Sequence, residues 1–341
     1  MVLRAVPSRR PARLPLRIAL AVLMAALTVA VHSAVAQAPV KHATALAPWT
    51  NPVIAEDFPD PSIARDGRTY WATSTSSAAA PGFPLLRSTD LVHWTRAGTI
   101  FQRLPGWASD SFWAPEIFVD DDGVRVYYSA RRRGGPLCVA VATAPRITGP
   151  YKDRGPLVCQ PAGSIDPTRA RDDDGRLFLV WKEDGNAVGK GSTIWRQRLT
   201  PDGLRLVGPP VAMLRSWSRW EGNVVEAPSI VEHGGWTYLF YSGNTYAAPG
   251  CRYALGVARA RTLYGPFRRH PANPILRSSR GWRCPGHATF TTDDDGEAFL
   301  LYHAYPSAGP AQRYGLLSRV TWGDDGWPAV ADGAATLRVT R

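Results

Sequence analysis

Residues 164–181 read Ser164-Ile-Asp-Pro-Thr-Arg-Ala-Arg-Asp-Asp-Asp-Gly-Arg-Leu-Phe-Leu-Val-Trp181, and their order decides the fold. An acidic residue, Asp166, leads a small apolar stretch, the Asp174-Gly175 pair follows, and an aromatic-rich segment ends at Trp181. An Asp-Gly pair between two strand-like segments is a strong hairpin signal, because the tight turn needs residues with positive φ. The stretch therefore predicts a β-hairpin with an acid at its entrance.

The same plan occurs five times along the chain. The leading residues of the five units are separated by 56, 50, 60 and 61 residues: Asp60, Glu116, Asp166, Glu226 and His287. Further strand-like stretches follow each hairpin, and no segment after residue 36 keeps a helical period over three turns. Units of this length with about four strands each predict an all-β fold, a five-bladed β-propeller. The alternative is a β-sandwich with repeated hairpins, which does not explain the fixed order and spacing.

The N-terminal residues have the pattern of a secretory signal peptide. A basic start rich in arginine precedes an apolar run from Ile18 to Val31, and small residues surround Ala36. We predict a signal peptide at 1–36 with cleavage after Ala36, a short linker at 37–50 and a single propeller domain at 51–341. The alternative is a membrane anchor, for which the run is short, since a span needs roughly 20 apolar residues.

Composition and charge exclude several classes of protein. With 45% hydrophobic and 20% charged residues, the chain is neither disordered nor a multi-span membrane protein. The net charge of +12 suggests nucleic-acid binding, but five of the 40 basic residues and none of the 28 acidic ones precede residue 37, which leaves +7. A solvated loop explains the basic run from Arg131 to Arg133. We expect no nucleic-acid partner, no membrane attachment after cleavage, a secreted extracellular location and a monomer.

The four cysteines all follow the predicted signal peptide. An even number of cysteines in an exported chain favours two disulfides, and three pairings are open. We prefer Cys138–Cys159 with Cys251–Cys284, because these pairs close the two shortest loops. The spacing lacks the Cys-x-x-Cys or Cys/His pattern of a zinc site.

The leading acids predict a functional site. The innermost strand of each propeller blade lines a central channel, so Asp60, Glu116, Asp166, Glu226 and His287 would all point toward one axis. A lone acid before a strand is usually a solvated turn residue, but several acids at one axis repel each other and raise some pKa values. Two carboxyl groups with unequal pKa values are what glycoside hydrolysis requires.

Aromatic residues lie beside several of these acids in the sequence. The flat rings of Phe58, Trp107, Phe112, Trp113 and Trp220 could pack on the apolar faces of sugar rings. The alternative is that these side chains belong to the hydrophobic core. We select Phe58, Trp113 and Trp220 as candidate substrate-binding residues.

The motifs resemble those of a known family. Five segments look like the blade motifs of glycoside hydrolase family 43: Phe58-Pro-Asp60-Pro-Ser-Ile, Phe112-Trp-Ala-Pro-Glu116, Ser164-Ile-Asp166-Pro-Thr, Glu226-Ala-Pro-Ser and Pro285-Gly-His287. Each motif alone is weak, but five in order, from about Asn51 to Pro328, are specific. One departure is Pro59, where many arabinan-cleaving members have histidine.

The resemblance implies roles for individual residues. Asp60 would be the general base of an inverting mechanism, Glu226 the general acid, and Asp166 would raise the pKa of that acid and orient it. Arg313 matches a family arginine near the acids, and Glu116 would belong to the substrate site as scaffold. The chemistry would need no cofactor, but the family often holds a structural Ca²⁺ in the central channel, near a histidine that matches His287.

The resemblance also implies a substrate class. We expect a secreted hydrolase that acts on arabinose- or xylose-containing polysaccharides or oligosaccharides, with an α-L-arabinofuranosidase or exo-arabinanase as the best match. Two alternatives stay open: a catalytically silent sugar-binding propeller, and a retaining, fructan-type five-bladed glycosidase. Linkage, sugar and exo or endo action are not visible in the sequence.

Overall fold

The computed structural model describes residues 49–78, 81–247 and 250–331. The predicted signal peptide at 1–36 lies outside the described residues, as do most of the predicted linker and the last ten residues of the predicted domain. None of the helices within the described ranges has the length and apolar character needed to cross a membrane. Apart from short 3₁₀ turns at Gly185–Val188 and Arg219–Glu221, the described secondary structure is β-strand.

The strands form five antiparallel sheets of four, and within each sheet the strand order follows the chain. Blade I contains β1 (Ser62–Asp66), β2 (Thr69–Thr73), β3 (Pro84–Ser88) and β4 (Thr95–Thr99), and blade II contains β5 (Ala108–Asp120), β6 (Gly123–Arg132), β7 (Leu137–Ala144) and β8 (Lys152–Val158). Blade III contains β9 (Ser164–Arg171), β10 (Leu177–Glu183), β11 (Thr193–Leu199) and β12 (Leu206–Arg215). Blade IV contains β13 (Val225–His233), β14 (Trp236–Gly243), β15 (Ala254–Ala260) and β16 (Arg268–Arg269). Blade V contains β17 (Trp282–Thr292), β18 (Ala298–Pro306), β19 (Tyr314–Trp322) and β20 (Pro328–Val330). The predicted five-bladed propeller is confirmed, and the β-sandwich alternative is wrong.

The predicted Asp-Gly turns join the first two strands of their blades. Gly175 has a φ of 76° between β9 and β10, and Gly296 has a φ of 79° between β17 and β18. A side chain at such φ values is strained, so glycine is the residue that lets these five-residue loops turn back on themselves.

The aromatic-rich segments form the second strand of each blade, and they are continuously apolar because both faces of that strand are buried. Neighbouring residues on a strand point to opposite faces, and both faces of a propeller blade pack against another blade. Tyr127 packs in the hydrophobic cluster between blades II and III, whereas Tyr128 packs in the cluster between blades I and II. Phe178 and Leu179 divide in the same way between the clusters on either side of blade III.

The segment before β1 closes the ring of blades. Ile54 bridges to Gly315 on β19, and the indole nitrogen of Trp49 donates to the carbonyl of Leu317 at 3.2 Å. Trp49, Ile54 and Phe58 share one buried cluster with residues of blades I and V. The first described residues therefore join the last blade to the first.

Both preferred disulfides are present. Cys138–Cys159 links β7 to the segment after β8 within blade II, and Cys251–Cys284 links the segment before β15 to β17, which joins blade IV to blade V. No described cysteine is free.

Candidate active site

Each innermost strand has a residue with a left-handed backbone conformation in it or next to it. Five such residues, one for each blade, have φ values between 44° and 54°: Asp60, Ala114, Asp166, Ala227 and His287. The strands β5 and β17 contain a second one each, Ser111 and Cys284, both with a φ of 58°. In blades II to V the strand pairing shifts register at this point, so each residue belongs to a β-bulge. A bulge bends the strand and redirects its side chains, which is why bulges are common beside active sites.

The bulges correct the predicted equivalence of the five leading residues. Asp60, Asp166 and His287 occupy the same place in their blades, but Glu226 precedes the left-handed residue Ala227, and Glu116 follows Ala114 by two positions. The prediction that the five leading residues hold equivalent positions was therefore wrong for the two glutamates. The physical reason is that an extra residue in a bulge changes which side chain faces the axis.

The main cavity lies where these bulges meet. It has a volume of about 700 Å³, and its walls include Asp60, Asp166 and Glu226 from three different blades. Trp113, His287 and Arg313 line the same cavity. The structure therefore brings together the three predicted catalytic acids, the predicted metal-site histidine and two of the predicted substrate-binding residues.

Asp60 is surrounded by groups that favour its ionised form. Arg313 Nη1 lies 2.9 Å from Oδ1, the hydroxyl of Thr75 donates to Oδ2 at 2.6 Å, and His287 Nδ1 lies 3.4 Å from Oδ1. Burial of the carboxyl opposes ionisation, but the charge of Arg313 and the contact with His287 outweigh it and hold the pKa of Asp60 well below its usual range. Asp60 is thus an ionised carboxylate at neutral pH.

Glu226 has a partner on each carboxyl oxygen. Lys182 Nζ lies 2.5 Å from Oε2, and the hydroxyl of Tyr253 donates to Oε1 at 2.7 Å. Both partners are buried, since Lys182 is 1% exposed and Tyr253 is 2% exposed. The carboxyl of Glu226 is therefore held in one orientation at the cavity wall.

Asp166 lies beside Glu226 in a different electrostatic setting. Its Oδ2 accepts the backbone N–H of Ala227 at 3.0 Å, which ties Asp166 to the residue that follows Glu226. Burial is the main cause that raises the pKa of Asp166 to about 7, and the negative charge of Glu226 adds to it, although His287 and Lys182 oppose the rise. The cavity thus contains a carboxylate kept ionised, Asp60, and a carboxyl that binds a proton near neutral pH, Asp166.

His287 lies on the cavity wall beside Asp60. Burial alone would lower the pKa of its ring, but the contact with Asp60 and the charges of Asp60 and Asp166 raise it to about 9. Within the described ranges, no three His, Cys, Asp or Glu side chains are arranged to hold an ion. The structural Ca²⁺ predicted in the central channel near His287 stays a prediction.

Three predicted substrate-binding residues lie apart from this cavity. Phe58 is completely buried in the cluster that closes the ring, and Trp220 packs against Tyr241 in the cluster between blades III and IV. Glu116 faces a second, smaller cavity of the central channel, where burial raises its pKa to about 7. The two aromatic residues are core residues, because their sequence position beside an acid does not fix the direction of the side chain.

Four residues of the site were missed by sequence reasoning: Thr75, Lys182, Tyr253 and His303. Lys182 had a signal, since it is a charged residue at the end of the apolar strand β10. The ring of His303 accepts the backbone N–H of Asp60 at 3.0 Å and stacks on Tyr253. Thr75 and Tyr253 carry no mark in the sequence, because only the packing of neighbouring blades brings them to the acids.

A five-bladed propeller with three carboxyl groups in unequal environments at its axis defines a glycosidase-type site. The comparisons with known proteins agree with this class. The family model described as glycosyl hydrolases family 43 matches residues 49–328, which is most of the chain, so the chain belongs to glycoside hydrolase family 43, a family of inverting hydrolases.

Similar proteins support the membership. A xylosidase/arabinosidase of Butyrivibrio fibrisolvens is 30% identical over 308 residues, which cover 84% of this chain and 57% of that protein. An extracellular exo-α-(1→5)-L-arabinofuranosidase of Cellvibrio japonicus is 26% identical over 80% of this chain and 86% of its own length. The crystal structure of a thermostable family-43 glycoside hydrolase is 32% identical, covers 83% of this chain and 95% of that one, and superposes with a TM-score of 0.75.

The matched region is shorter than several of its relatives. It spans 55–57% of the length of four curated proteins named as xylosidases or xylosidase/arabinosidases. The likeness to these proteins therefore concerns the propeller.

Proposed function

We propose that this protein is an inverting glycoside hydrolase that cleaves arabinose- or xylose-containing polysaccharides or oligosaccharides. An α-L-arabinofuranosidase or exo-arabinanase activity fits best, with β-xylosidase activity as the neighbouring specificity. The observation that carries the proposal is the convergence of Asp60, Asp166 and Glu226 on one cavity. Support for the sugar comes from the relatives, which include proteins named as xylosidase/arabinosidases and one named as an exo-acting arabinofuranosidase.

Asp60 is the general base in this proposal. Its carboxylate is kept ionised by Arg313 and His287, so it accepts a proton from a water molecule as that water attacks the anomeric carbon. Thr75 and Arg313 occupy one oxygen each, which fixes the plane of the carboxyl. A fixed and ionised base needs no reorganisation when the water loses its proton.

Glu226 is the general acid, and Asp166 is the neighbour that controls its proton. The proton passes from Glu226 to the glycosidic oxygen as the bond to the anomeric carbon breaks, and Glu226 becomes a carboxylate. Because the charges of Asp166 and Glu226 influence each other, protonation belongs to the pair rather than to one residue. In an inverting enzyme the base and the acid stand roughly 6.5–9.5 Å apart, which leaves room for the attacking water.

Trp113 and Arg131 would contact the sugar chain at the mouth of the cavity. Trp113 is 36% exposed on the wall of the cavity. Arg131 lines the same wall. An exposed ring gains stabilisation when the apolar face of a sugar covers it, because apolar surface leaves water.

We also propose that the protein is exported. The basic start and apolar run of residues 1–36 support export, and the two disulfides are typical of an oxidising compartment. Mass spectrometry of the protein from the culture medium should give a mature N-terminus at Gln37. A full-length N-terminus retained in the membrane fraction would overturn this part of the proposal.

Proton NMR of fresh product tests the reaction. Hydrolysis of arabino-oligosaccharides, xylo-oligosaccharides and their aryl glycosides should release sugar with the anomeric configuration opposite to that of the substrate. Net retention of configuration would contradict the proposal and favour the fructan-type alternative. Binding of a glycan without turnover across the panel would favour a silent sugar-binding propeller.

The variants Asp60→Asn and Glu226→Gln test the proposed roles of the two carboxyl groups. Both are close to the natural side chains in size but do not titrate, so the fold and glycan affinity should persist. We expect kcat to fall by about 10²–10⁴-fold in each. Full activity in either variant would remove that residue from its proposed role.

A further inference from the structure

Lys182 breaks a pattern that the other four blades share. At four of the five blade interfaces, the backbone N–H of the left-handed residue donates to a polar side chain from the second strand, or the residues just after it, of the preceding blade. The accepting atoms lie 2.8 to 3.1 Å from the amide nitrogens, with Thr75 for Ala114, Ser129 for Asp166, Ser242 for His287 and His303 for Asp60. Lys182 holds the corresponding place in blade III, opposite Ile165.

A lysine cannot take over this task, because an ammonium group has donors but no acceptor. The N–H of Ala227 is accepted by Asp166 instead, at 3.0 Å. The Lys182 ammonium is thereby free to donate to Glu226 Oε2 at 2.5 Å and to Asp184 Oδ1 at 2.8 Å. One substitution in the repeated pattern thus brings a buried cation to Glu226.

We propose that Lys182 is a positioning residue that orients the Glu226 carboxyl and sets the pH above which Glu226 stops donating its proton. The inference rests on the proposed function, in which Glu226 is the general acid. A buried cation 2.5 Å from a carboxyl oxygen favours the ionised form of that carboxyl, so removal of Lys182 should extend proton donation to higher pH.

Charged and titratable groups reach Glu226 from several elements. Lys182 comes from β10 and Tyr253 from the segment before β15, and both contact the Glu226 carboxyl. Asp166 on β9 and His287 on β17 act on it through their charges. Asp60 and Tyr246 lie farther away on the cavity wall, and Asp184 contacts Lys182. Asp166 and Asp60 disfavour a second negative charge, whereas Lys182 and His287 favour it. Lys182 is the cation in direct contact, and Asp184 shares its charge.

Lys182 stays charged over the working range. Burial alone would lower its pKa, but the charges of Glu226 and Asp184 outweigh burial and raise the pKa above the usual value. Tyr253 fixes the other side of Glu226. A side chain at Gly286 would collide with the Tyr253 ring, since a Cβ there would lie 2.3 Å from Cε1, so the tyrosine is held tightly against β17.

The test compares pH profiles of kcat/KM for the full-length enzyme with an aryl α-L-arabinofuranoside and an aryl β-D-xyloside. In Lys182→Met the alkaline limb should move to higher pH by about one unit or more, because the charge that favours ionised Glu226 is gone. In Asp184→Asn the limb should move to lower pH, because Lys182 then acts on Glu226 alone. A purely structural role would lower activity at all pH values without moving the limb.

Lys190→Met is the matched control, since Lys190 is an exposed lysine of the same blade. Its profile should follow that of the wild type. An unmoved alkaline limb in both Lys182→Met and Asp184→Asn would overturn the proposal. If Lys182→Met does not fold, the opposite shift in Asp184→Asn still decides the matter.

A second measurement separates this inference from the proposed function. Protein labelled with ¹³C at the glutamate carboxyl groups has seven such signals, and Glu226→Gln assigns the one from Glu226. Direct titration should give a higher pKa for Glu226 in Lys182→Met than in the wild type, whether or not a substrate is known. Equal titration curves would refute the role of Lys182, whereas a wild type without glycosidase activity would refute only the proposed function.

Discussion

The guanidinium of Arg313 lies 2.9 Å from Oδ1 of Asp60, and both side chains are mostly buried. Arg313 comes from the segment just before β19, whereas Asp60 leads β1, so the contact crosses the junction that closes the ring. Phe58 donates its backbone N–H to the carbonyl of Arg313 at 2.7 Å, which fixes the two segments together. Closure of the propeller and ionisation of Asp60 therefore depend on the same contact region.

Replacing Arg313 should change the acidic limb of the activity profile. Asp60 works as a base only when ionised, and Arg313 is the largest favourable influence that holds its pKa down. In Arg313→Met the pKa of Asp60 should rise, so the acidic limb of kcat/KM should move to higher pH by about one unit or more. The exposed Arg103→Met should keep the wild-type limb. An unmoved limb in Arg313→Met would show that another group controls Asp60.

The loss caused by Glu226→Gln should depend on the leaving group. A general acid matters most when the departing oxygen is strongly basic, so alkyl glycosides and natural linkages should lose about 10²–10⁴-fold in kcat. A dinitrophenyl glycoside leaves without a proton and should lose much less. Asp60→Asn should lose activity on both kinds of substrate, because water must be activated in each case. Equal losses of Glu226→Gln on the two substrates would contradict the acid role.

Trp113→Ala should weaken substrate binding more than it slows the chemical step. The ring is partly exposed and lines the cavity, and an apolar contact with sugar should persist from ground state to transition state. Removing about 1 kcal/mol of apolar contact should raise KM roughly fivefold with little change in kcat. Steady-state kinetics on an oligosaccharide measure both constants. A large fall in kcat with unchanged KM would place Trp113 in the chemical step.

A buried ion pair outside the cavity should make a large difference to the free energy of unfolding when one partner is removed. Glu221 is completely buried, and its carboxyl contacts Arg269 Nε at 2.6 Å and accepts the Tyr241 hydroxyl at 2.7 Å. Arg269→Met leaves an uncompensated buried charge, so the free energy of unfolding should fall by about 3 kcal/mol or more. Urea denaturation at neutral pH measures the loss.

The neighbouring Arg268 is exposed and serves as the control. Arg268→Met should change the free energy of unfolding by less than about 0.5 kcal/mol, as expected for a surface substitution. Adding Glu221→Gln to Arg269→Met should recover part of the loss, because the buried charge is then removed. Equal losses for Arg268→Met and Arg269→Met would argue against a buried pair.

The fold was predictable because its signals are local. The turn at Asp174-Gly175 and the apolar run from Leu177 to Trp181 each depend on a few neighbouring residues, and their recurrence reports the number of blades. Both disulfide pairings were also predicted, since short loops close most easily. By contrast, Phe58 and Trp220 were expected at the sugar site and lie in the core, because the direction of a side chain depends on the bulge next to it.

The sequence by itself determined the class of fold and the five repeats, because hairpin turns and strands are encoded within short stretches. It also singled out Asp60, Asp166 and Glu226 as the candidate catalytic acids. Only the tertiary structure decided what surrounds those acids. Lys182 lies 44 residues before Glu226, and Arg313 lies 253 residues after Asp60. Proton affinity depends on charges in three-dimensional contact, and those contacts exist only when the blades pack around one axis.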